Sequence, residues 1–209
     1  RTRDPAAVRA AAFAVLPGVG SFGPVAGMLT ETGLGAALRE RVQAGRPTLG
    51  VCLGMQLFFE RSEEDAARDS GLAALPGTVE AYPGSVPSPQ FGWNRVGPDA
   101  GVAAYAYFAN SYRLKEPPPG WLAAWADYGG PFVAALERGS VLLCQFHPEL
   151  SGAWGQGLLG HWLALGNSPA AAAAPEPTAR PDITGRGSAT TSLAPTAMAT
   201  SRGPLPRII

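Results

Sequence analysis

Lysine occurs once in this chain, at Lys115, although sixteen basic residues balance sixteen acidic ones over 209 positions. Against abundant Ala, Gly and Pro, that scarcity reads as compositional bias and not as chemistry. With the charges cancelling, nothing global points to nucleic acid or to an anionic membrane surface. Only two cysteines, Cys52 and Cys144, are present. That is too few for a disulfide scaffold or a thiolate metal site, so free thiols in a reducing, cytoplasmic compartment are expected. The histidines, His147 and His161, are equally few, and neither a metal nor another cofactor is expected. No apolar run approaches the length that spans a bilayer, and no signal-peptide pattern is read within these residues.

What is present centres on Gly50-Val51-Cys52-Leu53-Gly54-Met55-Gln56. A short apolar run, residues 47–51, leads into the cysteine, and an amphipathic run from Leu53 to Glu64 leads out. The spacing predicts a strand, a sharp elbow and a helix, with sulfur where other elbows carry a serine hydroxyl. Glycines two residues either side of the apex are required because side chains there would collide with neighbouring backbone. At a helix N-terminus the thiolate is expected to be favoured.

Upstream, Ala12–Leu16 reads as a buried parallel strand that stops at Pro17-Gly18. The loop Pro17-Gly18-Val19-Gly20-Ser21-Phe22-Gly23 lacks the lysine and hydroxyl of a Walker motif. Either it cradles phosphate in another way or its N–H groups face a reaction centre. Residues Met28 to Ala44 are expected to be one helix, with Leu34, Leu38 and Val42 on one face and Gly45 as its stop. Strand–helix–strand–helix order predicts a doubly wound α/β domain with a mostly parallel sheet over residues 1–166. Between Gly71 and Val102, Pro and Gly break the chain into a smaller antiparallel section. Thr78–Tyr82 and Asn94–Val96 read as strands of that section; Tyr105–Tyr112 is strand-like, and Leu122–Tyr128 and Phe132–Glu137 are two further strands joined by a hairpin-like turn at Gly129-Gly130. Val141–Phe146 is a continuous apolar strand, and Trp154–Leu165 is the last helix. Residues 167–209 have no apolar periodicity and read as a disordered tail or linker.

His147-Pro148-Glu149 closes the apolar strand. Pro148 keeps His147 extended, so alternation is expected to point His147 and Glu149 the same way. A nucleophile, a base and a carboxylate that orients the base make a triad of Cys52, His147 and Glu149. His161 is read as structural.

These residues resemble the class I glutamine amidotransferases. The elbow is similar to their nucleophile motif, and His147-Pro148-Glu149 to their His–Glu pair. Within the class, the glutaminase subunits of imidazole glycerol phosphate synthase are resembled in four further stretches: residues 16–23, Gly92-Trp93-Asn94, residues 107–112 and Asp127-Tyr128-Gly129-Gly130. The resemblance runs from about Ala12 to Leu165. It implies that Cys52 attacks the side-chain amide of glutamine, with His147 as acid and base and Glu149 as its orienter. It implies an oxyanion site from the N–H groups of Gly18, Val19, Gly20 and Leu53, and a glutamine pocket from Gln56, Asn110, Ser111 and Tyr112. Ammonia would pass to a cyclase subunit in histidine biosynthesis. The triad motifs alone also fit the glutaminase of another synthase, of the anthranilate type, and a non-catalytic subunit that keeps the fold stays open as a third reading.

Three departures stand out. Family members open with a further strand and a Gly–Asn loop before the first helix, roughly forty residues or one strand–helix unit. This sequence is read as starting past them. Leu150 stands where lysine is usual, and Asn110 where histidine is more common. The last residues, Pro206-Arg207-Ile208-Ile209, resemble the opening of a cyclase barrel. A tethered cyclase after a flexible linker and a chance match of three residues are both open.

Overall fold

The computed structural model describes residues 1–65, 71–97 and 104–167. The expected tail and its terminal Arg207-Ile208-Ile209 lie outside the described residues. Ten strands and five helices follow one another in the described chain. Helix α1 (Pro5–Ala10) precedes strand β1 (Ala14–Leu16), and helices α2 (Phe22–Glu31) and α3 (Leu34–Gln43) precede β2 (Thr48–Val51). Helix α4 (Leu53–Gln56) and β3 (Phe59–Ser62) lead to β4 (Leu75–Ala81), β5 (Gln90–Val96), β6 (Ala104–Asn110) and β7 (Tyr112–Leu114). Strands β8 (Leu122–Asp127), β9 (Pro131–Arg138) and β10 (Val141–Cys144) then precede α5 (Gly152–Gly166).

The main sheet runs β1-β2-β10-β9-β7-β4-β3, with β8 also on β9. The pairs β1–β2, β2–β10 and β3–β4 are parallel, while β9 joins β7, β8 and β10 antiparallel and β7 joins β4 antiparallel. Strands β5 and β6 form a separate antiparallel pair. Side-chain alternation along β10 shows why helices cover both faces. Val141 and Leu143 face a core with Phe22, Leu29, Leu38 and Val42 of α2 and α3. Leu142 and Cys144 face a second core with Leu158 and Trp162 of α5.

Four expectations are corrected by this arrangement. The helix expected over residues 28–44 is two, because Gly33 adopts a left-handed φ of 73° between α2 and α3; Leu34, Leu38 and Val42 are still its buried face. The run from Leu53 to Glu64 is one helical turn followed by strand β3. There Leu57, Phe58 and Phe59 are all buried, a burial that a single amphipathic stripe cannot supply. Strand β1 is the sheet's edge and not a buried strand, and Val15 is 56 % exposed. Residues Pro148–Leu150 form a 3-10 turn, so His147 and Glu149 do not meet by strand alternation.

One buried cation fastens the first elements together. Arg41 of α3 is 1 % exposed. It donates to the carbonyls of Val8, Ala11 and Pro47 at 3.0, 2.6 and 2.7 Å. The guanidinium fork suits several carbonyls at once, and these bonds tie α1 and the start of β1 to the entry of β2.

Candidate active site

Cys52 follows β2 directly, at the carboxyl end of a parallel pair, where open α/β sheets place their sites. Its φ of 52° and ψ of −115° make it one of two non-glycine residues with positive φ among those described. Such a conformation costs about 1–3 kcal/mol and persists only when its surroundings hold it. Here the Cys52 N–H donates to the carbonyl of Cys144 at 2.7 Å, and the Cys52 carbonyl accepts from Met55 and Gln56. The neighbouring backbone passes so close that glycine is the only fit. A Cβ on Gly54 would lie 2.0 Å from the Leu16 carbonyl oxygen, and one on Gly18 would lie 2.5 Å from Leu53 N and 2.8 Å from Cys52 Cβ. The loop after β1 is thereby pressed against the elbow, with Gly18 packed against Val51, Cys52 and Leu53. Val19, by contrast, is exposed.

The thiol is not held as a thiolate. Burial pushes Cys52 up to about 11, outweighing the N–H of Leu53 and the amide of Gln145 that favour the charged sulfur; the carboxylate of Glu149 raises it further. This corrects the expectation from the helix terminus: α4 is a single turn, and its dipole is too short to offset desolvation. The sulfur instead donates to the Ala109 carbonyl at 3.7 Å.

His147 stands as expected at the end of the apolar strand, with an extended φ of −99° before Pro148. Its Nδ1 lies 2.8 Å from Glu149 Oε1. The 3-10 turn brings that carboxylate back to Nδ1. The orienting contact therefore exists by a route other than strand alternation. With Nδ1 engaged by the carboxylate, Nε2 is the ring nitrogen left free to exchange a proton. The His147 N–H donates to the Tyr107 carbonyl at 2.9 Å, and Ser151 closes the loop by donating its hydroxyl to the His147 carbonyl and accepting from Tyr107 N–H. Carbonyls of Tyr107 and Ala109 are two residues apart on β6, about 7 Å along a strand. One strand thus holds both the His147 backbone and the Cys52 sulfur.

The expected pocket residues converge as well. Gln56 is buried, and its Nε2 donates to the Tyr112 carbonyl at 3.2 Å and to Gln145 Oε1 at 2.9 Å. Both protons are spent, so the acceptor Oε1 is what it can offer a ligand. Asn110 turns its Nδ2 to Tyr82 Oη and to the Tyr112 carbonyl, and its buried Oδ1 has no partner. The Ser111 carbonyl accepts from Tyr82 N–H. Asn110 therefore shapes the 110–112 turn from behind. Cys144 is fully buried in β10, and burial holds its thiol well above the ordinary range. His161 lies on α5, beside Leu142, Leu158 and Trp162.

Sequence reasoning missed Gln145 and the two β6 carbonyls. A carbonyl leaves no signal in the side-chain sequence. Gln145 did leave one: a polar residue that is wholly buried at the end of an apolar strand.

Comparison with known proteins adds the following. A family model described as glutamine amidotransferase class-I matches residues 3–159. The chain is 41 % identical over 169 residues to an "Imidazole glycerol phosphate synthase subunit HisH" of Herpetosiphon aurantiacus, covering 78 % of this chain and 80 % of that one. It is 42 % identical over 167 residues to the subunit of the same name from Symbiobacterium thermophilum, covering 76 % and 78 %. A crystal structure titled as a glutamine amidotransferase superposes with a TM-score of 0.63 at 19 % identity over 80 % of this chain and 85 % of that one, a likeness of fold.

Proposed function

Because the chain belongs to the class I glutamine amidotransferase family, we propose that Cys52, His147 and Glu149 carry out its glutamine hydrolysis. The chain is a glutaminase of the kind that serves imidazole glycerol phosphate synthase in histidine biosynthesis. His147 Nε2 takes the thiol proton as Cys52 Sγ attacks the side-chain amide carbon of glutamine. The tetrahedral oxyanion is received by N–H groups of Leu53 and the Gly18–Gly20 loop. His147 returns the proton to the departing nitrogen, which leaves as ammonia, and a thioester remains. Water, deprotonated by His147, cleaves the thioester to glutamate and free thiol. Glu149 fixes the ring's tautomer and balances its charge at both proton transfers. Gln56 Oε1 and the 110–112 turn hold the substrate.

The observation that carries this reading is the pairing of an elbow cysteine at φ 52° with a histidine whose Nδ1 is 2.8 Å from a carboxylate. The domain spans residues 1–166 in this reading. The ammonia goes to a cyclase, whether a separate subunit or one joined to this chain. An apolar surface beside the catalytic strand supports such a partner: Phe91, Trp93 and Tyr105 are exposed on the β5–β6 pair, and exposed Leu150 follows the His–Glu turn. The test is a Cys52→Ala variant assayed together with the cyclase. Glutamine-dependent turnover should vanish while turnover on added ammonium salt stays. Retained glutamine hydrolysis would sink the assignment.

A further inference from the structure

Gln145 has no exposed surface, and no step of the reaction above uses it. Its backbone is pinned by an N–H bond to the Ala134 carbonyl at 2.8 Å. Its side-chain Nε2 lies 3.8 Å from Cys52 Sγ, and its Oε1 accepts from Gln56 Nε2 at 2.9 Å. An amide can be turned end for end, but here a neighbour fixes the orientation. Gln56 faces the Tyr112 carbonyl at 3.2 Å, which only accepts, so the atom there must be nitrogen. That nitrogen's other proton must then meet the oxygen of Gln145, which leaves the Gln145 nitrogen to face the sulfur.

We propose that Gln145 is a positioning residue for the nucleophile, holding Cys52 Sγ by its amide N–H and linking it through Gln56 to the glutamine pocket. The inference rests on the glutaminase reading. The chemistry of the sulfur gives the role its sense. In the resting thiol, S–H points at the Ala109 carbonyl. Once the proton has gone to His147, that carbonyl offers the thiolate nothing, and a desolvated anion needs donors. Leu53 N–H is one, and Gln145 Nε2–H is the other. The same amide resists the Glu149 carboxylate, which acts against a negative sulfur. Since Gln56 Oε1 is the acceptor left for substrate, a donor bound there polarises the Gln56 amide and strengthens its bond to Gln145. Occupancy of the pocket is thereby felt at the sulfur.

The test measures the pH dependence of Cys52 alkylation by iodoacetamide in the full chain with Cys144→Ala as background, beside steady-state glutaminase kinetics with the partner subunit. Gln145→Met keeps the volume and removes the donor. Its alkylation profile should move up by about one pH unit, with kcat down about tenfold and KM little changed. Gln56→Leu, which does not touch the sulfur, should move the alkylation profile the same way by freeing the Gln145 amide to turn. Gln145→Leu, which also removes the N–H and adds no charge, replaces Gln145→Met if that variant fails to fold, and should shift the profile as far. An unmoved profile in the folded Gln145 variant overturns the proposal, even if kcat falls, because a merely structural role would lower activity without touching thiol acidity. A profile unmoved in Gln56→Leu overturns the link to the pocket. If the parent alkylates normally but hydrolyses no glutamine, the glutaminase reading fails, and the alkylation comparison still judges Gln145.

Discussion

His147 donates its backbone N–H to the carbonyl of Tyr107 at 2.9 Å, so the base hangs from the strand whose Ala109 carbonyl takes the Cys52 thiol. The two groups proposed for catalysis come from distant parts of the chain, and both hydrogen-bond to β6. Neither group depends on a long loop for its position. Cys52 leaves β2 and His147 follows β10, and those strands are hydrogen-bonded neighbours.

Glu149 makes the first prediction. Its carboxylate holds His147 Nδ1 at 2.8 Å yet is half exposed, so the contact serves orientation more than stability. Glu149→Gln keeps the shape and loses the charge. We expect kcat to fall by about a hundredfold or more, with KM for glutamine little changed and a melting temperature close to the parent's. A kcat within a factor of about three would remove Glu149 from the mechanism.

The buried thiol sets a pH dependence. An unperturbed cysteine titrates near 9.0, and Cys52 is pushed up to about 11 by burial. In that window the unfolded chain has lost the proton and the folded chain keeps it, so stability falls as pH rises. The contribution is whole below about 9 and is lost as pH climbs through about 11. Urea midpoints measured across this range should drop for the parent and drop less for Cys52→Ala. Cys144, also raised, supplies part of the remaining slope. Equal slopes in parent and Cys52→Ala would contradict the burial of this thiol.

The glycine at the far side of the elbow gives a steric prediction. A Cβ on Gly54 would sit 2.0 Å from the Leu16 carbonyl oxygen and 3.2 Å from that of Pro17. Backbone on both sides has no room to give. Gly54→Ala should cost about 3 kcal/mol or more and displace the loop that carries Gly18. Denaturant titration measures the first effect, and loss of glutaminase activity in whatever folds measures the second.

Arg41 was hidden in the sequence as one more charge on an amphipathic helix. In the structure it lies buried beneath α1, against the carbonyls of Ala11 and Pro47. Burial pulls it down to about 10, still charged at neutral pH. Arg41→Met would leave those carbonyls buried without a donor, at about 1–3 kcal/mol each. We expect a destabilisation of about 3 kcal/mol, and proteolysis beginning between α1 and β1. An unchanged melting curve would show that water replaces the guanidinium.

The elbow, the His–Glu pair and the alternation of strands with helices were legible because each is local. Gly50 and Gly54 bracket Cys52, Pro148 fixes His147, and the four-residue spacing of Leu34, Leu38 and Val42 marks a buried helix face. What was not legible depends on distant partners. The run from Leu53 to Glu64 reads as one amphipathic stretch until β4 pairs with Phe59–Ser62 as strand β3. The stretch from Met28 to Ala44 reads as one helix, and only the φ of 73° at Gly33 divides it in two. The acidity of Cys52 depends on how much chain covers it, which no local pattern states.

The edge strand makes the last prediction. Strand β1 pairs with β2 on one side only, and its Val15 is exposed. Beside it a groove of about 1370 Å³ is lined by apolar residues that include Phe13, Leu16, Val25, Met28 and Leu34. An uncovered parallel edge beside an apolar groove invites pairing with another chain. Expressed alone, residues 1–209 should therefore be poorly soluble and should bind an apolar dye such as anilinonaphthalene sulfonate. Charge placed on the edge should relieve this: Val15→Lys should raise the soluble fraction severalfold, because a lysine on an edge strand discourages pairing at little cost where the side chain is already half in water. The comparison of parent and variant by size-exclusion chromatography decides it. A parent that elutes as a sharp, active monomer and binds no dye would show that the groove closes on itself in solution.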